Sequence, residues 1–172
     1  AKKIVIPEKV NGYTVTEIAS SAFDACYELV SVTIPSTVKT IGNNAFKDCE
    51  KLYEVYDLSS SLTIEKGQSN NGYLGCYAKD IYYTTEGVTS KIIEKDGFYF
   101  YVNGEEIELL AYNGNSSTIT TPASYEGNQY KIANHAFRGC GATNIVISEG
   151  ATSIGDYAFY WKQALQSVTL PN

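Results

Sequence analysis

"IGNNAFKDC" (Ile41–Cys49) has a near copy upstream, "IASSAFDAC" (Ile18–Cys26), and two downstream, "IANHAFRGC" (Ile132–Cys140) and "IGDYAFYWK" (Ile154–Lys162). The spacing is regular: Ile18 to Ile41, Phe23 to Phe46, Cys26 to Cys49 and Leu29 to Leu52 are each 23 residues apart. Phe137 to Phe159 is 22, because "CGATNIVIS" lacks a residue that "CYELVSVTIP" has. The unit reads L-x-x-V-x-I-P, a short variable stretch, then I-G-x-x-A-F-x-x-C. A period of this length is the mark of a stacked repeat.

Each piece has a physical reading. V-x-I-P alternates as a short half-buried strand does. Pro7, Pro35 and Pro171 stand where such a strand should stop, since proline cannot donate to a ladder. A-F-x-x-C-x-x-L puts Phe, Cys and Leu on one side of an expected helical turn, and Gly42 or Gly155 suits a tight bend. One unit cannot bury its own apolar face, but a stack buries Ile, Phe and Leu as a column. A degenerate copy follows: Val55 and Ile64 keep the spacing, "YLGC" (Tyr73–Cys76) repeats aromatic-x-x-Cys, and the next strand falls around Ile81. About three coils thus cover residues 1–83.

The pattern then breaks. "KIIEKDGFYFYVNGEEIELLAY" (Lys91–Tyr112) carries two hairpin signals, Asp96-Gly97 and Asn103-Gly104, which predict a three-stranded meander within an insert over 84–116. The repeat resumes over 117–172, where "ITTPASYEGNQYKIANHAF" parallels the opening "VIPEKVNGYTVTEIASSAF".

Composition bounds the function. At 172 residues with 44% hydrophobic side chains the chain is an ordered protein, and its net charge of -6 and pI near 4.8 speak against nucleic acid. No apolar run is long enough to span a membrane. The chain opens on "AKKIVIP" and stops on "SVTLPN", both inside the repeat, with no methionine and no signal peptide. The expectation is a piece of a longer protein.

"SVTIPSTVKTIGNNAFKDC" and "TSIGDYAF" resemble the BspA-like, Treponema-type leucine-rich repeats, over roughly residues 1–83 and 117–172. The segment "LSSSLTIEKGQSNNGYLGCYAKDIYY", with "DGFYF" after it, also resembles inserts among such repeats in proteins of gut anaerobes. The resemblance implies an α/β leucine-rich-repeat solenoid, a right-handed superhelix of mostly short β-strands and short helical turns, interrupted here by the meander. It also implies a surface-exposed or secreted protein used for adhesion or partner binding, with a host extracellular protein or glycan as partner. Lys162 departs from the pattern, standing where the other copies place Cys.

The residue types point away from catalysis. Cys26, Cys49, Cys76 and Cys140 hold the same place in their coils. Neighbouring coils stack about 4.8 Å apart with parallel Cβ vectors, so buried free thiols fit better than disulfides. There is no Cys/His cluster for a metal and no nucleophile motif, so neither metal, cofactor nor enzyme activity is expected. His135, the single histidine, falls in a variable position and should be an exposed turn residue. Glu105, Glu106 and Glu108 read as a solvated hairpin edge with Lys91 and Lys95 nearby, and Asn115-Ser116-Ser117 is a glycosylation sequon.

The aromatics carry more. In V-x-I-P the x faces outward, giving Val5, Thr33, Tyr56, Tyr82, Val146 and Thr169 coil by coil, with Tyr83, Glu54 and Asp57 close to the tyrosines. Exposed tyrosine is a favoured binding residue. The candidate ligand-binding strand face is therefore Thr33, Glu54, Tyr56, Tyr82, Val146 and Thr169. Phe98–Tyr101 of the meander either add to it or are covered, and covering is the preferred reading. Two other functions stay open: a carbohydrate-binding module that uses the exposed tyrosines, and a passive spacer in a longer surface protein. The fragment itself is expected to be monomeric or weakly self-stacking.

Overall fold

A short strand needs a partner for its backbone, and a coil of this length finds one only in the next coil of the stack. In the computed structural model, which describes residues 2–171, that pairing builds two units, the first ending at Ser90 and the second beginning at Lys91.

The first unit contains β1 (Lys3–Val5), β2 (Lys9–Val10), β3 (Tyr13–Thr14), β4 (Glu17–Ile18), β5 (Ser31–Ile34), β6 (Thr40–Ile41), β7 (Glu54–Asp57), the four-residue helical stretch α1 (Asn70–Tyr73) and β8 (Asp80–Tyr82). β1, β5, β7 and β8 form a parallel sheet in that order. Its register sets Ile4 beside Val32, Val32 beside Val55 and Val55 beside Ile81, so the inward column is unbroken. β4 and β6 pair in parallel, with Ile18 beside Ile41. Leu29, Val32, Ile34, Phe46, Leu52 and Val55 are at most 1% exposed and form the core of the unit.

The A-F-x-x-C stretch is not helical. It is a string of β-turns in which every fourth residue has a left-handed backbone: Ser21 and Ala25, Asn44 and Asp48, His135 and Gly139, Tyr157 and Trp161. Ala22 N–H donates to Ala19 O at 3.2 Å and Cys26 N–H to Phe23 O at 3.2 Å, within the coil. The N–H groups of Ser21, Phe23 and Ala25 reach sideways to Asn43, Ala45 and Lys47 at 2.7–3.0 Å. A helix would spend all its donors inside its own coil. The alternating backbone spends half of them on the next coil, which is what a stack requires. Non-glycine residues there carry a penalty of about 1–2 kcal/mol each.

The phenylalanines of the motif stack coil on coil, Phe23 on Phe46 at 5.0 Å and Phe137 on Phe159 at 5.3 Å, both nearly parallel. The degenerate coil keeps the register: Phe46 N–H donates to Gly72 O at 2.7 Å, as Phe23 N–H does to Ala45 O. Gly72 fills that place because a Cβ would meet Gly42 O at 2.5 Å. Gly42 likewise serves close approach, not a bend: a Cβ there would lie 2.4 Å from Ser20 N.

The second unit contains β9 (Ile92–Lys95), β10 (Phe98–Asn103), β11 (Glu106–Tyr112), β12 (Thr118–Thr120), β13 (Tyr130–Ile132), β14 (Asn144–Val146), β15 (Ala151–Ile154) and β16 (Ser167–Thr169). β9, β10 and β11 are the antiparallel meander, turning at Asp96-Gly97 and Asn103-Gly104. The meander does not stand apart: β11 pairs in parallel with β13, and β13 with β15. Leu109 thereby takes the place of the motif isoleucine, beside Ile132 and then Ile154. Ala133 N–H donates to Leu109 O at 3.0 Å, just as Gly155 N–H does to Ile132 O at 2.8 Å. β12, β14 and β16 form the other, all-parallel sheet.

The meander aromatics are covered. Phe98 and Phe100 lie in the core with Leu109, Tyr125, Tyr130 and Phe137, while Tyr99 and Tyr101, on the opposite face of β10, are also buried.

Candidate functional site

The outward positions of the first parallel sheet form one row, because its strands are in register. Val5 lies beside Thr33, Thr33 beside Tyr56, and Tyr56 beside Tyr82. Val5 is 73% exposed, the other three are half-buried, and Tyr83 at the row's end is exposed. The Tyr56 and Tyr82 rings contact one another, with centroids 5.0 Å apart and planes tilted by 33°. Val146 and Thr169 hold the same positions in the second unit, in register with Thr120.

Glu54 does not face solvent as a ligand contact would. Its side chain is fully buried on the same side of β7 as Tyr56, and its Oε2 accepts from Ser90 Oγ at 2.8 Å and Tyr56 Oη at 3.3 Å. The segment leading to Ser90 closes over it, and Glu54 thus anchors the tyrosine from beneath. Burial, with the Glu54 charge adding to it, pushes the Tyr56 phenol up to about 12. Burial and the Asp80 charge push the Tyr82 phenol up to about 12 as well. Both rings therefore stay neutral hydrogen-bonding groups across the physiological range.

Asp57 lies on the other side of the strand, in the column that Ile34 holds one coil earlier. It is 1% exposed; Ser59 N–H donates to its Oδ1 at 3.1 Å, and its Oδ2 has no partner. Burial raises its pKa, opposed in part by the Ser59 hydrogen bond.

Other sequence expectations change. His135 is buried, not exposed, because Tyr157 of the following coil stacks on it at 5.3 Å and Tyr160 meets it edge-on at 6.3 Å. The thiols are free, yet only Cys49 is buried, in a coil flanked on both sides; Cys26, Cys76 and Cys140 are half-buried. Cys49 Sγ donates to Phe23 O at 3.1 Å, and burial pushes that thiol up to about 12. Lys162 fits where Cys was expected because its Nζ donates to Cys140 O at 2.8 Å and Cys140 Sγ at 3.2 Å. Glu108 sits opposite Lys131, and Lys95 pairs with Glu126 at 3.6 Å. Glu105 and Glu106 edge a cavity of about 330 Å³ with Gln129, Lys131 and Thr152.

One feature was not legible as a cluster. Tyr157 (64% exposed), Tyr160 (45%) and Trp161 (71%) lie together on the turn row of the second unit. The Arg138 guanidinium lies 5.1 Å over the Tyr160 ring and 6.0 Å from that of Trp161. The signal was available in the variable positions of "IANHAFRGC" and "IGDYAFYWK", once these are read as neighbouring columns.

Parallel strands one coil apart, an apolar column behind them and a row of outward side chains define a leucine-rich-repeat solenoid. The chain belongs to the family of the BspA type leucine rich repeat region, which matches in six copies over residues 1–71 and 130–172. Among solved structures it is similar to a leucine rich cell surface protein of Faecalibacterium prausnitzii, with 19% identity and a TM-score of 0.42 over 98% of this chain and 69% of that one. It is also similar to the pneumococcal vaccine antigen PcpA, with 21% identity and a TM-score of 0.46 over 99% of this chain and 49% of that one. A leucine rich repeat protein of T. pallidum aligns at 24% identity and a TM-score of 0.35, over 97% of this chain and 57% of its own length. No curated protein matches the chain. Families of this kind are repeat folds that serve as protein-interaction or surface modules. Among the described residues no helix is long and apolar enough to cross a membrane.

Proposed function

We propose that the chain is a non-catalytic recognition module, carried by a protein displayed at the cell surface or secreted, that binds an extracellular protein through its strand face. Val5, Thr33, Tyr56 and Tyr82 are the contact row in the first unit, and Val146 and Thr169 are its counterparts in the second. Glu54 acts as the support beneath Tyr56.

The observation that carries this reading is the Tyr56–Tyr82 pair: two rings in register, half-exposed, in mutual contact, with one hydroxyl tied to a buried carboxylate. Packing does not demand them, because Thr33 holds the same position one coil earlier. A rigid tyrosine offers broad contact area at small conformational cost. Because the rings contact one another, each has part of a face occupied, which suits a protein surface better than the stacking of a sugar.

The test is a binding screen of the chain against extracellular host proteins, run beside the Tyr56→Ala, Tyr82→Ala double variant. Truncating a central aromatic anchor costs about 2 kcal/mol or more, so the double variant should bind at least about 30-fold more weakly while melting as a folded protein. Undiminished binding by a folded double variant would refute the assignment.

A further inference from the structure

We infer, resting on the strand face as the protein-binding surface, that the segment it takes is proline-rich and in the polyproline II conformation. That segment lies across the coils, along Val5, Thr33, Tyr56 and Tyr82.

The spacing of the row selects the conformation. Its members stand beside one another in register, one coil apart. Successive positions therefore repeat at about 4.8 Å and alternate ones at about 9.6 Å. A polyproline II helix has three residues per turn at about 3.1 Å each, so every third side chain returns to one side after about 9.3 Å. One turn thus spans two coils with a mismatch of about 0.3 Å. A β-strand laid the same way returns to one side after about 6.7 Å, between the first coil and the second. An α-helix advances about 5.4 Å per turn and is about 2 Å out of step by the end of the row.

The side chains give the row a step. Tyr56 and Tyr82 lean on each other with centroids 5.0 Å apart, while Thr33 and Val5 before them are small. Thr33 is too short to cover the face of Tyr56 turned away from Tyr82, and Val5 beyond it is 73% exposed. A shelf of small side chains thus ends against an aromatic wall, and aromatic walls are what proline rings pack on. The wall is held in place by the hydrogen bond from Tyr56 Oη to the buried Glu54 at 3.3 Å. Polarity agrees with shape. No member of the row is charged, and a proline-rich backbone offers carbonyls with few N–H groups. The hydroxyls of Thr33 and Tyr82 are the donors such carbonyls need. A segment already in its bound conformation loses little entropy on docking, which suits a row this short.

The test is an anisotropy titration of the whole chain against a labelled oligoproline of about twelve residues, about four turns. A glycine–serine peptide of equal length is the control. The expected result is saturable binding of the oligoproline alone. Tyr56→Ala should weaken it at least about tenfold. Tyr82→Phe, which keeps the ring and removes the donor, should weaken it about two- to tenfold. Thr33→Tyr should weaken it at least about tenfold by filling the shelf, whereas a merely adhesive aromatic surface would gain from the extra ring. Thermal melts establish that each variant is folded. Four results would overturn the assignment: no oligoproline binding, equal binding of the control peptide, undiminished binding by folded Tyr56→Ala, or tighter binding by Thr33→Tyr. Failure here is separable from failure of the strand face itself. An extracellular protein captured through Tyr56 and Tyr82 that oligoproline does not displace contradicts the polyproline assignment alone. Capture that ignores both tyrosines contradicts the strand face.

Discussion

Replacing Asp57 by Asn should stabilise this protein at neutral pH. Asp57 occupies a core column whose previous member is Ile34, is 1% exposed, and leaves Oδ2 without a partner. Its folded pKa is raised, chiefly by burial. For an acid shifted in that direction, folding favours the protonated form: the stabilising contribution is complete below the unfolded pKa of about 3.9 and is lost as pH rises through the folded value. At pH 7 the ionised side chain is therefore a liability. Asn keeps an acceptor for Ser59 N–H and leaves the second polar atom unpaired as before, but it removes a buried charge, which costs more to bury than a neutral amide. Asp57→Asn should therefore gain on the order of 1 kcal/mol at pH 7, a rise of several degrees in Tm. Thermal melts followed by circular dichroism from pH 4 to pH 8 measure this. The gap between the two proteins should close as pH falls toward 4. A variant less stable than the parent at pH 7, or a gap that does not change with pH, would refute the reasoning.

Ala25→Gly should raise stability by about 1 kcal/mol, since Ala25 has φ 57° and the equivalent position in the second unit is already Gly139; Ala22→Gly, in the same turn without positive φ, should lower it. Gly72→Ala should destabilise the first unit by about 1–3 kcal/mol, because the new Cβ would meet Gly42 O at 2.5 Å and Ala45 Cβ at 2.9 Å. In thiol labelling of the native protein Cys49 should react far more slowly than Cys26, Cys76 and Cys140, and all four should react at once after unfolding; equal native rates would contradict the buried Cys49. Absorbance titration near 295 nm should show Tyr56 and Tyr82 ionising near 12, after the exposed tyrosines. Since those folded pKa values lie above the unfolded one, their stabilising contribution is complete below about 10 and disappears as pH rises toward 12.

The solenoid was legible because its signal is redundant: Phe23, Phe46, Phe137 and Phe159 all report the same column, and a missing Cys at Lys162 did not hide it. The degenerate coil was legible for the same reason, through Tyr73 and Cys76. What the motif could not reveal was backbone handedness. Phe, Cys and Leu at such spacing suit a helical turn and a string of β-turns equally, and only the sideways hydrogen bonds of Ser21, Phe23 and Ala25 distinguish them. The paired hairpins at Asn11-Gly12 and Glu126-Gly127 were missed, although left-handed backbone at both turns makes them equivalent. At the candidate site, strand alternation sufficed to align Tyr56 with Tyr82. It did not reveal that Glu54, outward by alternation, is covered by the segment ending at Ser90. His135 failed similarly, because its burial comes from Tyr157 and Tyr160, a full coil away in sequence.

The central claim is that the strand face recognises a protein. Its most direct test is hydrogen–deuterium exchange of the chain, free and bound to whichever extracellular protein the screen captures. Added protection is expected over residues 31–34, 54–57 and 80–82, the strands that carry Thr33, Tyr56 and Tyr82. Protection that leaves those strands unchanged and falls elsewhere on the chain would contradict it.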